Sequence, residues 1–178
     1  IDAEMVTLDV HDVLTITDAA QSSMTVSGPF ADGVPTDASN LCMRAAKFAQ
    51  RPARIHLEKQ IPHGGGLGGG SDDAAAVLRW AAISDVSSTV SLGADIPFCM
   101  LGGRARVQGI GEILTELPHV DRIFTLVSPP LHISTPAVYR AWDDLGGPQN
   151  VGPNDLEPAA TSVEPRLAWW RDAITYRI

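Results

Sequence analysis

Six of the chain's sixteen glycines fall within seven positions, 64–70. The segment reads Pro62-His63-Gly64-Gly65-Gly66-Leu67-Gly68-Gly69-Gly70-Ser71-Asp72-Asp73-Ala74-Ala75-Ala76. Glycine lets a backbone approach a ligand closely and take positive φ. The residues that follow read as a helix start, with Ser71 as cap, acids in the first turn and alanines after them. A helix N-terminus offers unpaired N–H groups and the positive end of a dipole. Glycines feeding such a helix make a cradle for phosphate oxygens. The alternative is a flexible linker or a wide turn, although a linker rarely runs straight into so well-capped a helix. A Walker A loop needs Lys after its last glycine, and Ser71-Asp72 stands there instead. Gly64, Gly66 and Gly69 satisfy the dinucleotide G-x-G-x-x-G spacing. In so dense a run that match is nearly automatic, and the segments before it look antiparallel, unlike the opening of a βαβ unit.

Other chemistry-bearing residues are sparser. Asp95 sits in Leu92-Gly93-Ala94-Asp95-Ile96-Pro97-Phe98, and taken locally it reads as a turn aspartate. Gly109-Ile110-Gly111-Glu112 reads as a hairpin turn. The five histidines (11, 56, 63, 119, 132) show no metal-ligand spacing. His63 borders the glycine run and either touches a ligand there or lies on the surface. Cys99 follows Phe98 in an apolar stretch and reads as core rather than nucleophile.

The elements that must hold these residues are short. Residues 5–8, 13–17 and 24–27 read as strands, with a turn at 18–22 joining the last two. Ser39 reads as the N-cap of a helix over 41–48. Residues 53–61 alternate and read as a strand ended by Pro62. A helix runs from Ser71 through Trp80, and a short one over 87–92 is closed by Gly93. Residues 98–101, 104–108 and 113–116 are strand candidates, and 123–127 is the strongest strand signal of the second half. Pro136 suits the first turn of a helix from Thr135 through Trp142. Residues 146–153 read as loop. A last amphipathic helix over 167–174 packs Trp169 and Trp170, which would be exposed and favour aggregation if their partners lie beyond Ile178. Strands and helices mix without strict alternation, so the fold class is α+β.

Composition narrows the function. The 178 residues make one domain, or one and a fraction, long enough for a real core. A net charge of −8 argues against nucleic-acid partners and against anionic membrane surfaces. No run approaches the ~18 apolar residues of a membrane-spanning helix. Two cysteines are too few for a disulfide framework or a Cys-based zinc site, so a reducing, cytoplasmic home is the default. The chain opens on Ile1, with nothing like a signal peptide, and reads as the middle of a strand. Both ends are expected to be incomplete.

Taken in order, these segments resemble the GHMP kinase superfamily. The resemblance rests on Ser39-Asn40-Leu41 and on Glu58-Lys59-Gln60-Ile61-Pro62 leading into the glycines and Ser71. Gly93-Ala94-Asp95-Ile96-Pro97-Phe98, Gly109-Ile110-Gly111-Glu112, Ser134-Thr135-Pro136 and Asn154-Asp155-Leu156 continue it over residues 1–160. The long glycine string and Gly-Ala-Asp-Ile-Pro look like the branch that acts on a cytidine-diphosphate-linked methylerythritol. Other GHMP kinases more often show a shorter Gly-Leu-Gly-Ser-Ser string.

The resemblance implies a two-domain fold, with a ribosomal S5 domain 2-like N-terminal domain and a ferredoxin-like C-terminal one. Residues 1–125 would be the ATP-binding domain without its first strands, and 126–178 the beginning of the second. It implies transfer of a phosphoryl group from ATP, with Mg²⁺ arriving on the nucleotide. The acceptor would be the 2-hydroxyl of the methylerythritol, in the non-mevalonate isoprenoid pathway. The implied ATP-binding residues are Asn40, Lys59, Pro62, His63, Gly64, Gly65, Gly66, Leu67, Gly68, Gly69, Gly70, Ser71 and Asp72, with Ser71 a candidate for the ATP-bound Mg²⁺. Asp95 matches the catalytic aspartate, which accepts or orients the acceptor's proton. Thr135 would sit near the substrate, and Tyr139 matches an aromatic position that stacks on cytosine. The expected form is a cytoplasmic monomer or homodimer. The family also pairs its aspartate with a Lys and has a Gly-Tyr-His segment, both placed by the resemblance upstream of Ile1. Its closing glycine-rich segment would follow Ile178. Asp72-Asp73 stands where the family usually has Ser-Asn. These acids either recruit Mg²⁺ or point away, and the helix dipole favours the second. The competing readings are a GHMP kinase for a sugar or homoserine, a nucleotide-binding remnant without catalysis, and, most distantly, an NAD-binding oxidoreductase.

Overall fold

Apolar residues at every second position make a strand whose two faces meet different surroundings. Residues 53–58 follow that rule: Ala53, Ile55 and Leu57 are buried, while Arg54, His56 and Glu58 are exposed. They form the middle strand of a sheet in the computed structural model, which describes residues 1–131, 133–148 and 152–175. His132, residues 149–151 of the expected loop and the terminal 176–178 lie outside the described residues.

The chain divides into two units, Ile1–Ile123 and Phe124–Ile178. In chain order the first holds β1 (Asp2–Val6), β2 (Val13–Asp18), β3 (Ser23–Ser27), α1 (Leu41–Phe48), β4 (Ala53–Glu58) and α2 (Gly69–Trp80). A 3₁₀ turn (Ser87–Ser91), α3 (Ile96–Leu101), β5 (Arg104–Gln108) and β6 (Ile113–Glu116) complete it. The second holds α4 (Thr135–Asp144), α5 (Glu157–Val163) and α6 (Arg166–Thr175). The α+β expectation holds.

In the first sheet β4 lies between β2, antiparallel to it, and β3, parallel to it. Its inward residues meet Cys42, Ala45 and Ala46 of α1, Ala74, Val77 and Leu78 of α2, and Ile96 of α3. Alanines on α1 and α2 let the two helices approach closely. Burying each large aliphatic side chain here contributes about 1.5–3 kcal/mol. The second sheet runs β1–β5–β6, antiparallel throughout, over Phe98, Ala105 and Val107. Its ion pairs, Arg104–Glu4 and Arg106–Asp2, join strands at the surface, where such pairs add at most about 1 kcal/mol.

Several local expectations change. Residues 18–22 do not close a β2–β3 hairpin, because β4 pairs with both strands and separates them. The first strand runs over Asp2–Val6 rather than 5–8. Residues 98–101 belong to helix α3 rather than a strand, with Pro97 in its first turn. Asn40, not Ser39, caps α1, since the Ser39 hydroxyl is turned onto Asp37 at 2.6 Å. Helix α2 begins inside the glycines, with Gly68 rather than Ser71 at its cap position. No strand forms at 123–127, where Ile123 is fully exposed, so the apolar run finds no ladder partner among the described residues. In the second unit α5 was not expected. There Trp169 and Trp170 meet edge to face at 5.1 Å, with Trp169 largely exposed.

Candidate functional site

Between β4 and α2 the backbone alternates in sign. Gly64, Gly66 and Gly68 take φ of +75°, +74° and +69°, while Gly65 and Leu67 between them do not take positive φ. Successive N–H groups in such an alternation point into one concavity and form an anion-binding nest. The loop uses few of its own donors: Gly65 N–H donates to Pro62 O at 3.3 Å, and the Ser71 and Asp72 amides share the Gly68 carbonyl. The amides of Gly66, Leu67, Gly68, Gly69 and Gly70 find no acceptor among the described residues. A Cβ at Gly64, Gly66 or Gly68 would meet nothing within 4 Å, so the loop is open above those positions.

Beneath the loop lies a buried ion triad. The Lys59 ammonium contacts the carboxylates of Asp12 and of Asp73, the latter at 2.9 Å. The three side chains are only 3%, 2% and 5% exposed. Asp12 also accepts the backbone N–H groups of Gln60 at 2.5 Å and Ile61 at 2.8 Å. Burial works against ionised Asp12, yet Lys59 and the two amides outweigh it and hold its carboxyl below the usual range. Asp73 lacks those amides. Burial dominates there, the neighbouring Asp12 adds to it, and the carboxyl is pushed up to about 6 despite Lys59. Burial also disfavours the Lys59 charge, but the two carboxylates prevail and raise its pKa. Asp12 was not anticipated: it is one of two acids in the connection between two strands, far in sequence from Lys59.

Asp95 occupies the cap position of α3, where an aspartate ordinarily accepts a helix N–H. It makes no such bond, and among the described residues its half-buried carboxylate has neither a hydrogen bond nor an ion pair. The β5–β6 turn packs against the same place. A Cβ at Gly111 would overlap the carbonyl of Ala94. Arg79 fastens α2 to α3 by donating to the Cys99 carbonyl at 2.6 Å, and lies 3.7 Å from Asp72. The loop-bearing helix and the Asp95-bearing helix are thus joined in one unit.

The remaining expected residues divide. Asn40 is nearly buried with both amide ends engaged: its oxygen accepts the Cys42 N–H at 2.8 Å and its nitrogen donates to Pro35 O at 2.7 Å. Asp72 is half exposed beside the loop, whereas Asp73 is turned onto Lys59. His63 is exposed, with its ring beside Gly33. Thr135 and Tyr139 are exposed on α4 of the second unit. Burial pushes the thiols of Cys42 and Cys99 up to about 12, so neither is a nucleophile near neutral pH. A cleft of about 500 Å³ beside α2 has polar walls of His11, Asp12, Asp72, Asp73 and Arg79. A larger groove of about 940 Å³, between α1 and residues 20–22 and 50–52, includes neither the glycine loop nor Asp95. Among the described residues no group of three or more His, Cys, Asp or Glu is arranged to hold a metal, and no helix is long and apolar enough to cross a membrane.

Comparison with known proteins bears on this geometry. Residues 40–103, from the α1 cap to the turn after α3, match the family described as GHMP kinases N terminal domain. The 4-diphosphocytidyl-2-C-methyl-D-erythritol kinase of Paracoccus denitrificans is 40% identical over 187 residues, covering 94% of this chain and 68% of that protein. The enzyme of the same name from Cereibacter sphaeroides is 35% identical, covering 98% and 72%. A crystal structure of 4-(cytidine 5'-diphospho)-2C-methyl-D-erythritol kinase superposes with a TM-score of 0.62 at 31% identity, over 90% of this chain and 68% of that one.

Proposed function

The chain belongs to the GHMP kinases, among the 4-diphosphocytidyl-2-C-methyl-D-erythritol kinases, and from that premise we propose how its residues divide the work. The first unit holds ATP, with the amides of residues 64–70 around the phosphates. The acceptor is the 2-hydroxyl of 4-diphosphocytidyl-2-C-methyl-D-erythritol, a step of isoprenoid biosynthesis. Asp95 orients this hydroxyl and accepts its proton. The hydroxyl oxygen bonds to the γ-phosphorus as the bond to the β–γ bridging oxygen breaks, and ADP leaves. Thr135 and Tyr139 of the second unit contact the acceptor, the Tyr ring stacking on cytosine.

Phosphoryl transfer asks mainly for positioning and charge stabilisation, and a loop of N–H donors unpaired among the described residues and held at both ends supplies both. Mg²⁺ fits this arrangement, because it binds largely through phosphates and water with few protein oxygens. The Ser71 hydroxyl, without a partner among the described residues, would hold it at the loop's end. The ion would neutralise charge on the β- and γ-phosphates. Asn40 supports the site through the start of α1, since both ends of its amide are engaged within the protein.

The observation that carries the assignment is the uncommitted Asp95 carboxylate, at a position where a structural aspartate would cap its helix. The test is phosphoryl transfer from ATP to the acceptor, with homoserine and free sugars as controls. Asp95→Asn should lower transfer by about 10²–10⁴-fold while ATP still binds. Near-normal turnover in the variant would remove Asp95 from the role of base.

A further inference from the structure

Lys59 stands at the end of β4, five residues before the first positive-φ glycine of the loop. A lysine there invites the reading of a direct phosphate contact. The structure places it otherwise. Its ammonium is buried and satisfied by two carboxylates, one from a distant connection and one from the helix that follows the loop. Asp12, from the β1–β2 connection, grips the entry by accepting the Gln60 and Ile61 amides. Asp73, in the first turns of α2, holds the exit. Gly69, the first residue of α2, lies directly on the triad: a Cβ there would stand 3.1 Å from Lys59 Nζ and 3.4 Å from Asp12 Oδ2. Lys59 is also pinned by its backbone. Its N–H donates to Ser27 O at 2.7 Å, its carbonyl accepts the Phe30 N–H at 3.3 Å, and Gly28 leaves room for that approach.

We propose that Asp12, Lys59 and Asp73 form an internal strut that sets the distance and angle between the two ends of the glycine loop, so that Lys59 acts on the nucleotide through the loop amides rather than by touching it. The three are positioning residues. The proposal rests on the reading of the loop as the phosphate site. The nest has few internal bonds of its own, so its curvature depends on how its ends are held. A loop displaced by about an ångström loses aligned donors, and misplacement on that scale changes function by up to about 10²-fold.

A direct contact and a strut predict opposite signs when the carboxylates are neutralised. A lysine that touched phosphate would be released by Asp12→Asn or Asp73→Asn, and ATP would bind as well or better. A strut would be weakened. The experiment measures dissociation constants for ATP and for adenosine with the wild-type chain, Asp12→Asn, Asp73→Asn, Lys59→Met and the Lys59→Met/Asp73→Asn double variant. Each Asn variant should weaken ATP about tenfold or more and leave adenosine unchanged. The double variant should bind ATP no worse than Lys59→Met, because the members act as one unit. The Asn variants keep size and shape, so the outcome does not depend on Lys59→Met folding. Wild-type ATP affinity in both Asn variants overturns the strut and leaves the loop reading intact. An equal loss of ATP and adenosine overturns it too, as general loosening. A wild-type chain that binds no ATP overturns the loop reading and the proposal with it.

Discussion

Asp73 is the side chain whose ionisation is most exposed to test. It faces the Lys59 ammonium and the Asp12 carboxylate, and the Cys42 thiol nearby is pushed too high to titrate. Its folded-state pKa, about 6, lies above the ordinary 3.8. Between those values the folded chain keeps a proton that the unfolded chain has lost. The stability Asp73 contributes is therefore full below its ordinary pKa and falls as pH rises through its folded one. Asp12 and the surface acids Asp2 and Asp18 are shifted downward from 3.8 and act below this window, while Glu4, shifted downward from 4.5, touches only its lower edge and does so equally in the wild type and the variant. Comparing thermal midpoints from about pH 4 to about pH 6, the fall in wild-type stability should be steeper than in Asp73→Asn. Parallel profiles would show that Asp73 titrates normally. At this scale the glycine run marks the loop by composition alone, whereas Asp95 reads locally as a turn aspartate and stands out only through the family resemblance. The sequence was silent on Asp12, because nothing local separates it from Asp9 in the same connection or marks its partner 47 residues away.

Elements differed from expectation where long-range packing overrode local preference. Residues 98–101 are apolar without period, so pattern alone could not separate strand from helix; Pro97 and packing against α2 settle it as α3. Helix α2 reaches back into glycines that disfavour helix, since its first turn must lie against Lys59 and a side chain at Gly69 would crowd the ammonium. The short β2–β3 link suggested a hairpin, and only the pairing of β4 with both strands excludes it. The alternating strand β4 and the amphipathic helix α1 were plain, because burial follows their periods directly. The β5–β6 turn gives an element-scale prediction. Gly111 takes φ +129° and abuts Ala94, next to Asp95. Gly111→Ala should lower stability by the strain of a side chain at positive φ plus about 1–3 kcal/mol for the overlap with Ala94, and lower turnover more than ATP affinity, read by thermal melts and steady-state kinetics. Gly68→Ala, at positive φ but in open space, should cost only about 1–2 kcal/mol of backbone strain. Equal losses in the two would deny the Gly111–Ala94 contact its role.

Over the whole molecule, an anionic protein must capture an anionic nucleotide. The net charge is −8, and the lysine nearest the loop is already neutralised by two acids. Attraction must therefore be short-ranged, from oriented N–H groups and the α2 dipole, while the long-range field repels. The ATP association rate should rise as salt increases from about 10 mM to about 150 mM, because screening removes the repulsion first. A steep fall, measured by stopped-flow mixing, would reveal cationic steering that this charge distribution lacks. The central claim is that the amides of residues 64–70 receive the phosphates of ATP. The most direct measurement is an ATP titration followed by the backbone amide resonances of the whole chain. Saturable shifts should concentrate at Gly66, Leu67, Gly68, Gly69 and Gly70, whose N–H groups have no acceptor among the described residues, and adenosine should not reproduce them. Saturable ATP binding that leaves those five resonances in place would contradict the claim.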